Sequence, residues 1–168
     1  MILVDEFRGV GGGYMNEYQL VPSFCSPYDP DRWLGLVREQ LVTDFRLELR
    51  TDTELSLLDT FVPLLASGQK ATTVRYAKNK IRVPQETVLG LFETKADDKN
   101  YKLEIGSVYI PTMTVKSIGD LTQDDGKRDG FSGKEELISI IEGIYGKVGL
   151  DELVSIYKIA EFDNFRKH

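Results

Sequence analysis

Apolar residues recur at the three-to-four-residue spacing of a helix in three stretches of the chain. These stretches predict helices over residues 29–45, Thr53–Ser67 and 132–145. At the start of the third stretch, Ser132 and Glu135 have the spacing of a capping box, in which each side chain bonds the other's backbone N–H. This last stretch is the strongest helix prediction in the sequence.

Between the second and third helices the pattern changes to β-branched and aromatic residues, in part with alternating polarity. It predicts strands at Thr72–Tyr76, Thr87–Glu93, Tyr101–Ile110 and Thr112–Ile118, and after the last helix a final strand at Leu153–Phe162. Several short strands together with one long helix indicate an α+β domain built around a small mixed β-barrel.

The first 28 residues show no clear periodicity. Their glycine-rich run, residues 9–13, is not followed by the Lys-Ser or Lys-Thr of a phosphate loop, so we interpret it as a hairpin tip or a linker. The sequence therefore predicts an N-terminal extension of loop and helix over residues 1–50, followed by one domain over residues 51–168.

Composition narrows the chemistry. The chain has 168 residues and a net charge of −6, which argues against coating nucleic acid by bulk charge, so any such contact needs a local basic patch. Cys25 and His168 are the only cysteine and histidine, which argues against a disulfide, a zinc site or a histidine-based triad. No metal or cofactor is predicted. With no signal peptide and no membrane-length apolar run, we expect a cytoplasmic protein without a membrane partner.

One segment has the opposite charge from the chain as a whole. Between Asp59 and Glu86 there is no acidic residue, yet five basic residues occur there, namely Lys70, Arg75, Lys78, Lys80 and Arg82. Because Thr73 and Arg75 are two apart on a predicted strand, their side chains point to the same face. The segment is interpreted either as a ligand-binding patch or as a solvated, charged hairpin.

Two motifs carry a family resemblance. Residues 68–75 resemble the Gly-x-Lys-x-x-Thr-x-Arg motif of the ASCH family, with Gly68, Lys70, Thr73 and Arg75 at its fixed positions. The second half of the resemblance begins about 45 residues further on, at Leu121-Thr122, and within it residues 129–131 resemble the family's Asp-Gly-Phe segment. The resemblance covers roughly residues 58–162. It implies a PUA-like β-barrel with a basic cleft for RNA or a nucleobase.

The resemblance also implies roles for particular residues. Members that look like acetylcytidine amidohydrolases have a proposed catalytic Lys, Thr and Glu. Lys70 and Thr73 match two of these positions, and Asp129 stands at the acidic one with a side chain one methylene shorter. The shorter acid predicts weak hydrolysis, because misalignment by about 1 Å can lose orders of magnitude in rate. Asp129 is equally well explained as a turn residue before Gly130.

Three functions stay open on these residues. The first is binding of RNA or a modified nucleoside. Its predicted contacts are Gly68, Lys70, Arg75, Tyr76, Lys78, Lys80, Arg82 and Phe131. The second is hydrolysis of an N-acylated cytidine or of RNA by Lys70, Thr73 and Asp129, in which Lys70 acts as a base only if its surroundings lower its pKa. The third is a protein-interaction module with a vestigial cleft.

Overall fold

A computed structural model describes residues 3–9, 15–21 and 48–165 of the chain. The helices within these residues are α1 (Val62–Ser67), α2 (Gln123–Arg128) and α3 (Lys134–Tyr145), with 3-10 turns at Asp59–Phe61 and Ile118–Asp120. The strands are β1 (Leu3–Gly9), β2 (Met15–Val21), β3 (Glu48–Asp52), β4 (Glu54–Leu58), β5 (Thr72–Arg75), β6 (Lys80–Pro84), β7 (Val88–Thr94), β8 (Lys102–Tyr109), β9 (Met113–Ser117), β10 (Leu153–Lys158) and β11 (Glu161–Asn164).

The described strands form three sheets. One has five strands in the order β1-β2-β9-β10-β5, another has four in the order β11-β8-β7-β4, and β3 pairs with β6. The β3–β6 and β4–β7 pairs are parallel, and the others are antiparallel. The predicted mixed architecture with several strands and few helices is confirmed, whereas closure of the strands into a barrel stays a prediction.

Apolar side chains cover both faces of β10. Tyr157 is buried in one core cluster, together with Leu55, Ile81 and Met113. The alternate residues Val154 and Ile156 belong to a second cluster, which also contains Tyr76, Ile118, Leu121, Leu137 and Ile141. Because side chains alternate along a strand, β10 separates these two clusters and holds α3 against the sheet.

Two predicted elements are wrong in part. The predicted helix Thr53–Ser67 begins as strand β4, in which Leu55 and Leu57 are buried with a period of two, and becomes helical only at α1. Parallel pairing of β4 with β7 accounts for the difference, since this long-range partner is not visible in the local pattern. The predicted final strand divides into β10 and β11, which lie in different sheets.

The N-terminal segment also differs from its prediction. Strands β1 and β2 pair with each other, β2 pairs with β9, and Leu20 is fully buried in the main core. This part of the predicted extension therefore contributes to the main sheet instead of being irregular. The predicted helix over residues 29–45 lies outside the described residues.

A short helix that the sequence analysis missed delivers Asp129 to the site. Thr122 and Asp125 form a capping box at the start of α2, and Lys116 of β9 donates to Asp125 at 2.8 Å, which fixes α2 against the sheet.

The capping box predicted for Ser132 and Glu135 is wrong, because α3 begins at Lys134. None of the helices in the described part of the chain has the length and hydrophobicity needed to span a membrane.

Candidate functional site

Lys70 lies in the short link between α1 and β5. Gly68 ends α1 in the left-handed region, with φ 84°, a conformation that costs glycine little. The Lys70 N–H then donates to the Leu64 carbonyl at 2.9 Å, and the Ala71 N–H donates to the Arg128 carbonyl at 2.7 Å. The start of β5 is therefore tied to the end of α2, which brings the two halves of the sequence motif together.

Lys70 and Asp129 form a buried ion pair. The Lys70 amine donates to the Asp129 carboxylate and, at 2.9 Å, to the Asp129 main-chain oxygen. Each residue is only 3% exposed. The same carboxylate accepts a hydrogen bond from the Val74 N–H on β5. The short side chain of Asp129 thus reaches the Lys70 amine directly.

Burial favours the neutral forms of both Lys70 and Asp129. Desolvation lowers the pKa of Lys70, with opposition from the charge of Asp129. Desolvation likewise raises the pKa of Asp129, with opposition from Lys70. Because the two groups titrate together, the proton that joins them belongs to the pair and not to either residue.

Arg82 is held by a buried acidic partner. Its Nε donates to both oxygens of Asp52, at 3.1 and 3.2 Å, and Tyr157 donates to the same carboxylate at 2.7 Å. Although burial opposes it, the hydrogen bonds and charge of Asp52 raise the pKa of Arg82. The Arg82 guanidinium is therefore fully charged but already neutralised by Asp52.

Arg75 has a different environment. Its Nη2 donates to the Ser56 carbonyl at 3.0 Å, while its Nε is buried without a hydrogen-bond partner in the described part of the chain. Burial lowers the pKa of Arg75, and the nearby charge of Arg82 adds to this effect. Lys70 is paired with Asp129 and Arg82 with Asp52, so Arg75 leaves the group of three cations and two carboxylates with a net positive charge.

These groups face one cavity of about 160 Å³, which we call the central cavity. Its polar wall includes Lys70, Thr73, Arg75, Arg82 and Asp129. Its other walls are the side chains of α3 together with Leu58, Phe61, Tyr76 and Phe131. The cavity therefore combines buried charge with a largely apolar enclosure, a composition typical of small-molecule sites.

Two aromatic pairs flank the central cavity. The rings of Phe61 and Phe131 meet edge to face at 5.4 Å, and the Lys70 amine lies 5.5 Å from the centre of the Phe61 ring. The rings of Tyr76 and Tyr145 meet edge to face at 5.0 Å. Mutual packing fixes these rings, so they offer a planar ligand preformed apolar walls.

Thr73 supplies a hydroxyl to the same cavity. It pairs with Tyr157 of β10 and is almost fully buried. Within the described residues we find no hydrogen bond from its hydroxyl to Lys70, whose amine is directed at Asp129. The geometry therefore gathers a hydroxyl, an amine and a carboxylate, with the amine bonded to the carboxylate.

The structure brings together most of the sequence-predicted site residues. The central cavity is lined by Lys70, Thr73, Arg75, Tyr76, Arg82, Asp129 and Phe131. Gly68, Lys78 and Lys80 are not among its lining residues. Gly68 lines a separate pocket of about 490 Å³ beside Phe162, and Lys78 is an exposed residue. Lys80 lines a neighbouring cavity of about 230 Å³, with its amine 3.8 Å from a Glu48 carboxylate oxygen.

Sequence reasoning missed several residues of the site. Asp52 and Phe61 lie upstream of the motif, and their contacts with Arg82 and Lys70 depend on long-range packing. Three apolar residues of α3 were also missed, because only the structure shows that Ile140, Ile144 and Tyr145 line the cavity and are exposed.

Neither protein-family models nor curated proteins match the chain. Among solved structures, the chain is similar to the crystal structure of a ZmASCH mutant protein from Zymomonas mobilis, with a TM-score of 0.46 and 17% sequence identity. The similarity covers 70% of this chain and 72% of that one. That protein is named as an ASCH protein, and ASCH is the family that the two motifs of this chain resemble.

Proposed function

We propose that the central cavity binds one base of RNA or of a modified nucleotide. The observation that carries the proposal is the meeting of Lys70, Thr73 and Arg75 with Asp129 in one cavity between two aromatic pairs. The resemblance of the two motifs to the ASCH family points to the same ligand class. In a chain of net charge −6, a single local positive charge suits a nucleotide or a short single strand better than a duplex.

The size of the central cavity favours a one-ring base. Its volume of about 160 Å³ is close to the ~150 Å³ of an engineered cavity that binds benzene. It is well below the ~300–1,000 Å³ of pockets that enclose drug-sized ligands. We therefore expect a pyrimidine to enter the cavity while its ribose stays outside, and a purine to fit poorly.

The free hydrogen-bonding groups favour a ligand that offers oxygen acceptors. A guanidinium has five N–H donors, and Arg75 uses one of them on Ser56. The carboxylates near the cavity already accept from Lys70 and Arg82. A pyrimidine carbonyl, the acyl oxygen of an N-acylated cytosine or a phosphate oxygen would each meet an unused donor.

Calorimetric titration tests this function. The parent protein is titrated at low salt with uridine monophosphate and with adenosine monophosphate, and the experiment is repeated with Arg75→Met. We expect the uridine compound to bind more tightly and Arg75→Met to lose about 1–3 kcal/mol of its binding, the range of a hydrogen bond to a charged group. If the parent binds neither nucleotide, the proposed function is wrong.

One observation favours hydrolysis as a second candidate function. Burial lowers the pKa of Lys70, and the Thr73 hydroxyl lines the same cavity. When the proton of the pair moves to Asp129, Lys70 becomes a neutral amine that can accept a proton. Water would then add to the acyl carbon directly, or the Thr73 hydroxyl would add to it and form an acyl ester that water hydrolyses in a second step. On either route the proton taken up by Lys70 would pass to the departing cytosine nitrogen. The net reaction adds one water across the amide bond.

The remaining alternatives use the same surface differently. Cleavage of RNA would employ Lys70, Thr73 and Asp129 on a phosphodiester in place of an amide. A protein-interaction module would leave the central cavity without a ligand. Both are distinguished from the main proposal by the nucleotide titration combined with a product assay.

A further inference from the structure

The mouth of the central cavity is surrounded by exposed apolar side chains. In the described part of the chain seven large hydrophobic residues are exposed, and four of them line this cavity, namely Leu58, Ile140, Ile144 and Tyr145. Ile144 is 69% exposed and Tyr145 is 43% exposed. We call these four residues the rim. Because single exposed hydrophobics are ordinary but clusters are not, the rim indicates a contact surface.

Tyr145 is the planar member of the rim. It is the last residue of α3, and its ring packs edge to face against Tyr76 at 5.0 Å with 69° between the ring planes. This contact holds the ring while a large part of it stays accessible. A fixed, partly exposed aromatic ring is the kind of surface on which single-stranded nucleic acids stack their bases.

The dimensions of the central cavity determine what reaches the rim. At about 160 Å³ it takes one small ring, so the rest of a longer ligand must leave through the mouth. We propose that the rim is a stacking platform for the base next to the one in the central cavity, which makes the ligand a single-stranded oligonucleotide. This inference rests on the proposed function, since it requires a base in the cavity.

Charge distinguishes this occupant from an apolar protein segment. Within the described residues the Arg75 guanidinium, which lines the cavity, has no hydrogen-bonded carboxylate, and Lys147 follows two residues after Tyr145 as an exposed cation. A polynucleotide offers both parts that this arrangement requires, a flat apolar face for Tyr145 and oxygen acceptors for the cations. An apolar helix or loop would leave the buried Nε of Arg75 without an acceptor.

A pair of ligands of equal charge isolates the stacking contact. The dinucleotide pUpA is compared with an analogue that has the same phosphates and an abasic ribose in the second position, both titrated at low salt. We expect pUpA to bind about 5- to 140-fold more tightly, the factor that corresponds to one base–aromatic stack. Tyr145→Phe should keep this difference, whereas Tyr145→Leu, which retains apolar area without a π-face, should remove most of it.

Two serine variants form a matched control. Ile144 and Leu150 are both 69% exposed, but only Ile144 lines the cavity. Ile144→Ser should weaken pUpA binding several-fold, and by a larger factor than it weakens binding of uridine monophosphate, whereas Leu150→Ser should change neither affinity.

The outcomes separate this inference from the proposed function. Equal affinities for pUpA and the abasic analogue, with uridine monophosphate still bound, would overturn the stacking platform alone. Loss of all nucleotide binding in the parent would overturn the function as well. If sedimentation instead shows a dimer that Ile144→Ser abolishes and Leu150→Ser preserves, the rim joins two copies of the chain and the platform is wrong.

Discussion

The carboxylate of Asp129 contacts the amine of Lys70 across 59 residues of sequence. The same carboxylate accepts from the Val74 N–H, so it joins the end of α2 both to the α1–β5 junction and to β5 itself. A side chain of this kind is structural as well as chemical. The shape of the central cavity depends on the contacts of Asp129. Replacing Asp129 should therefore destabilise the fold as well as change ligand binding.

Asp129→Asn should therefore lower the free energy of unfolding strongly. Asparagine keeps the shape and an acceptor for Val74 but leaves the buried Lys70 ammonium without its counter-charge. Removal of one partner from a buried ion pair costs about 3–5 kcal/mol. Urea unfolding at neutral pH measures the loss. A change below about 1 kcal/mol would mean that solvent compensates the lysine.

Two variants complete this experiment. Asp124→Asn breaks an exposed ion pair with Arg128 on the same helix and should cost less than about 1 kcal/mol. The double variant Lys70→Met/Asp129→Asn removes both charges, so it should recover part of the stability that Asp129→Asn loses.

Much of the site was predictable because local sequence determines it. Thr73 and Arg75 share a strand, and the glycine before Lys70 ends a helix, so these residues form one surface by local rules alone. The prediction that Asp129 lies at the same site depended on the motif resemblance and not on any local pattern. The roles of Asp52 and Phe61 could not be predicted, since each arises from a contact between distant elements.

The fold shows the same division. Strands with clear alternation, such as β7 and β9, were located closely, and so was α3. The strand β4 was mistaken for helix because its apolar residues continue smoothly into the helical stripe of α1. The short helix α2 was missed because six residues, most of them polar, give no periodic signal.

Two glycine substitutions should have opposite effects on stability. A methyl group at Gly126 of α2 would come within 2.2 Å of the Gly133 backbone, whereas one at Gly143 of α3 would meet nothing within 4 Å. Gly126→Ala should therefore force α2 away from α3 and lower both the melting temperature and nucleotide affinity. Gly143→Ala should stabilise the protein by about 0.5–1 kcal/mol through helix propensity. Thermal unfolding of both variants tests the pair.

The two arginines of the central cavity should separate stability from binding. In the described part of the chain Arg75 has no hydrogen-bonded carboxylate, so Arg75→Met should change the free energy of unfolding by less than about 1 kcal/mol while nucleotide binding weakens. Arg82→Met leaves the buried Asp52 carboxylate with the hydrogen bond from Tyr157 but without its counter-charge. This variant should lower the free energy of unfolding by about 3–5 kcal/mol. Urea unfolding and calorimetry on the same samples measure both effects. Equal destabilisation by the two variants would contradict this assignment.

Tyr76 should make stability depend on pH in the alkaline range. It donates to Glu152 at 2.5 Å, and burial together with this carboxylate raises the pKa of Tyr76 to about 12. Between pH 10 and 12 the folded protein keeps a proton that the unfolded chain releases, so the stability due to this group falls as the pH rises. The free energy of unfolding of the parent should exceed that of Tyr76→Phe by about 1 kcal/mol below pH 10, and this advantage should disappear between pH 10 and 12. A difference that does not change with pH would contradict the prediction.

Hydrolysis of N4-acetylcytidine is the remaining test of the site. We expect slow turnover that increases with pH, because the pKa of Lys70 is lowered by burial and its neutral form is the base. Lys70→Met should abolish turnover and Thr73→Val should reduce it by orders of magnitude, while Thr73→Ser, which keeps the hydroxyl, should retain part. Asp129→Glu should not increase turnover, since the parent carboxylate already contacts Lys70. The added methylene would overpack the buried site and cost about 1–3 kcal/mol of stability. Cytidine release, followed chromatographically at matched protein concentrations, measures all five proteins. Turnover that survives Lys70→Met would exclude the proposed base, and absence of turnover with uridine monophosphate still bound would leave the central cavity a binding site only.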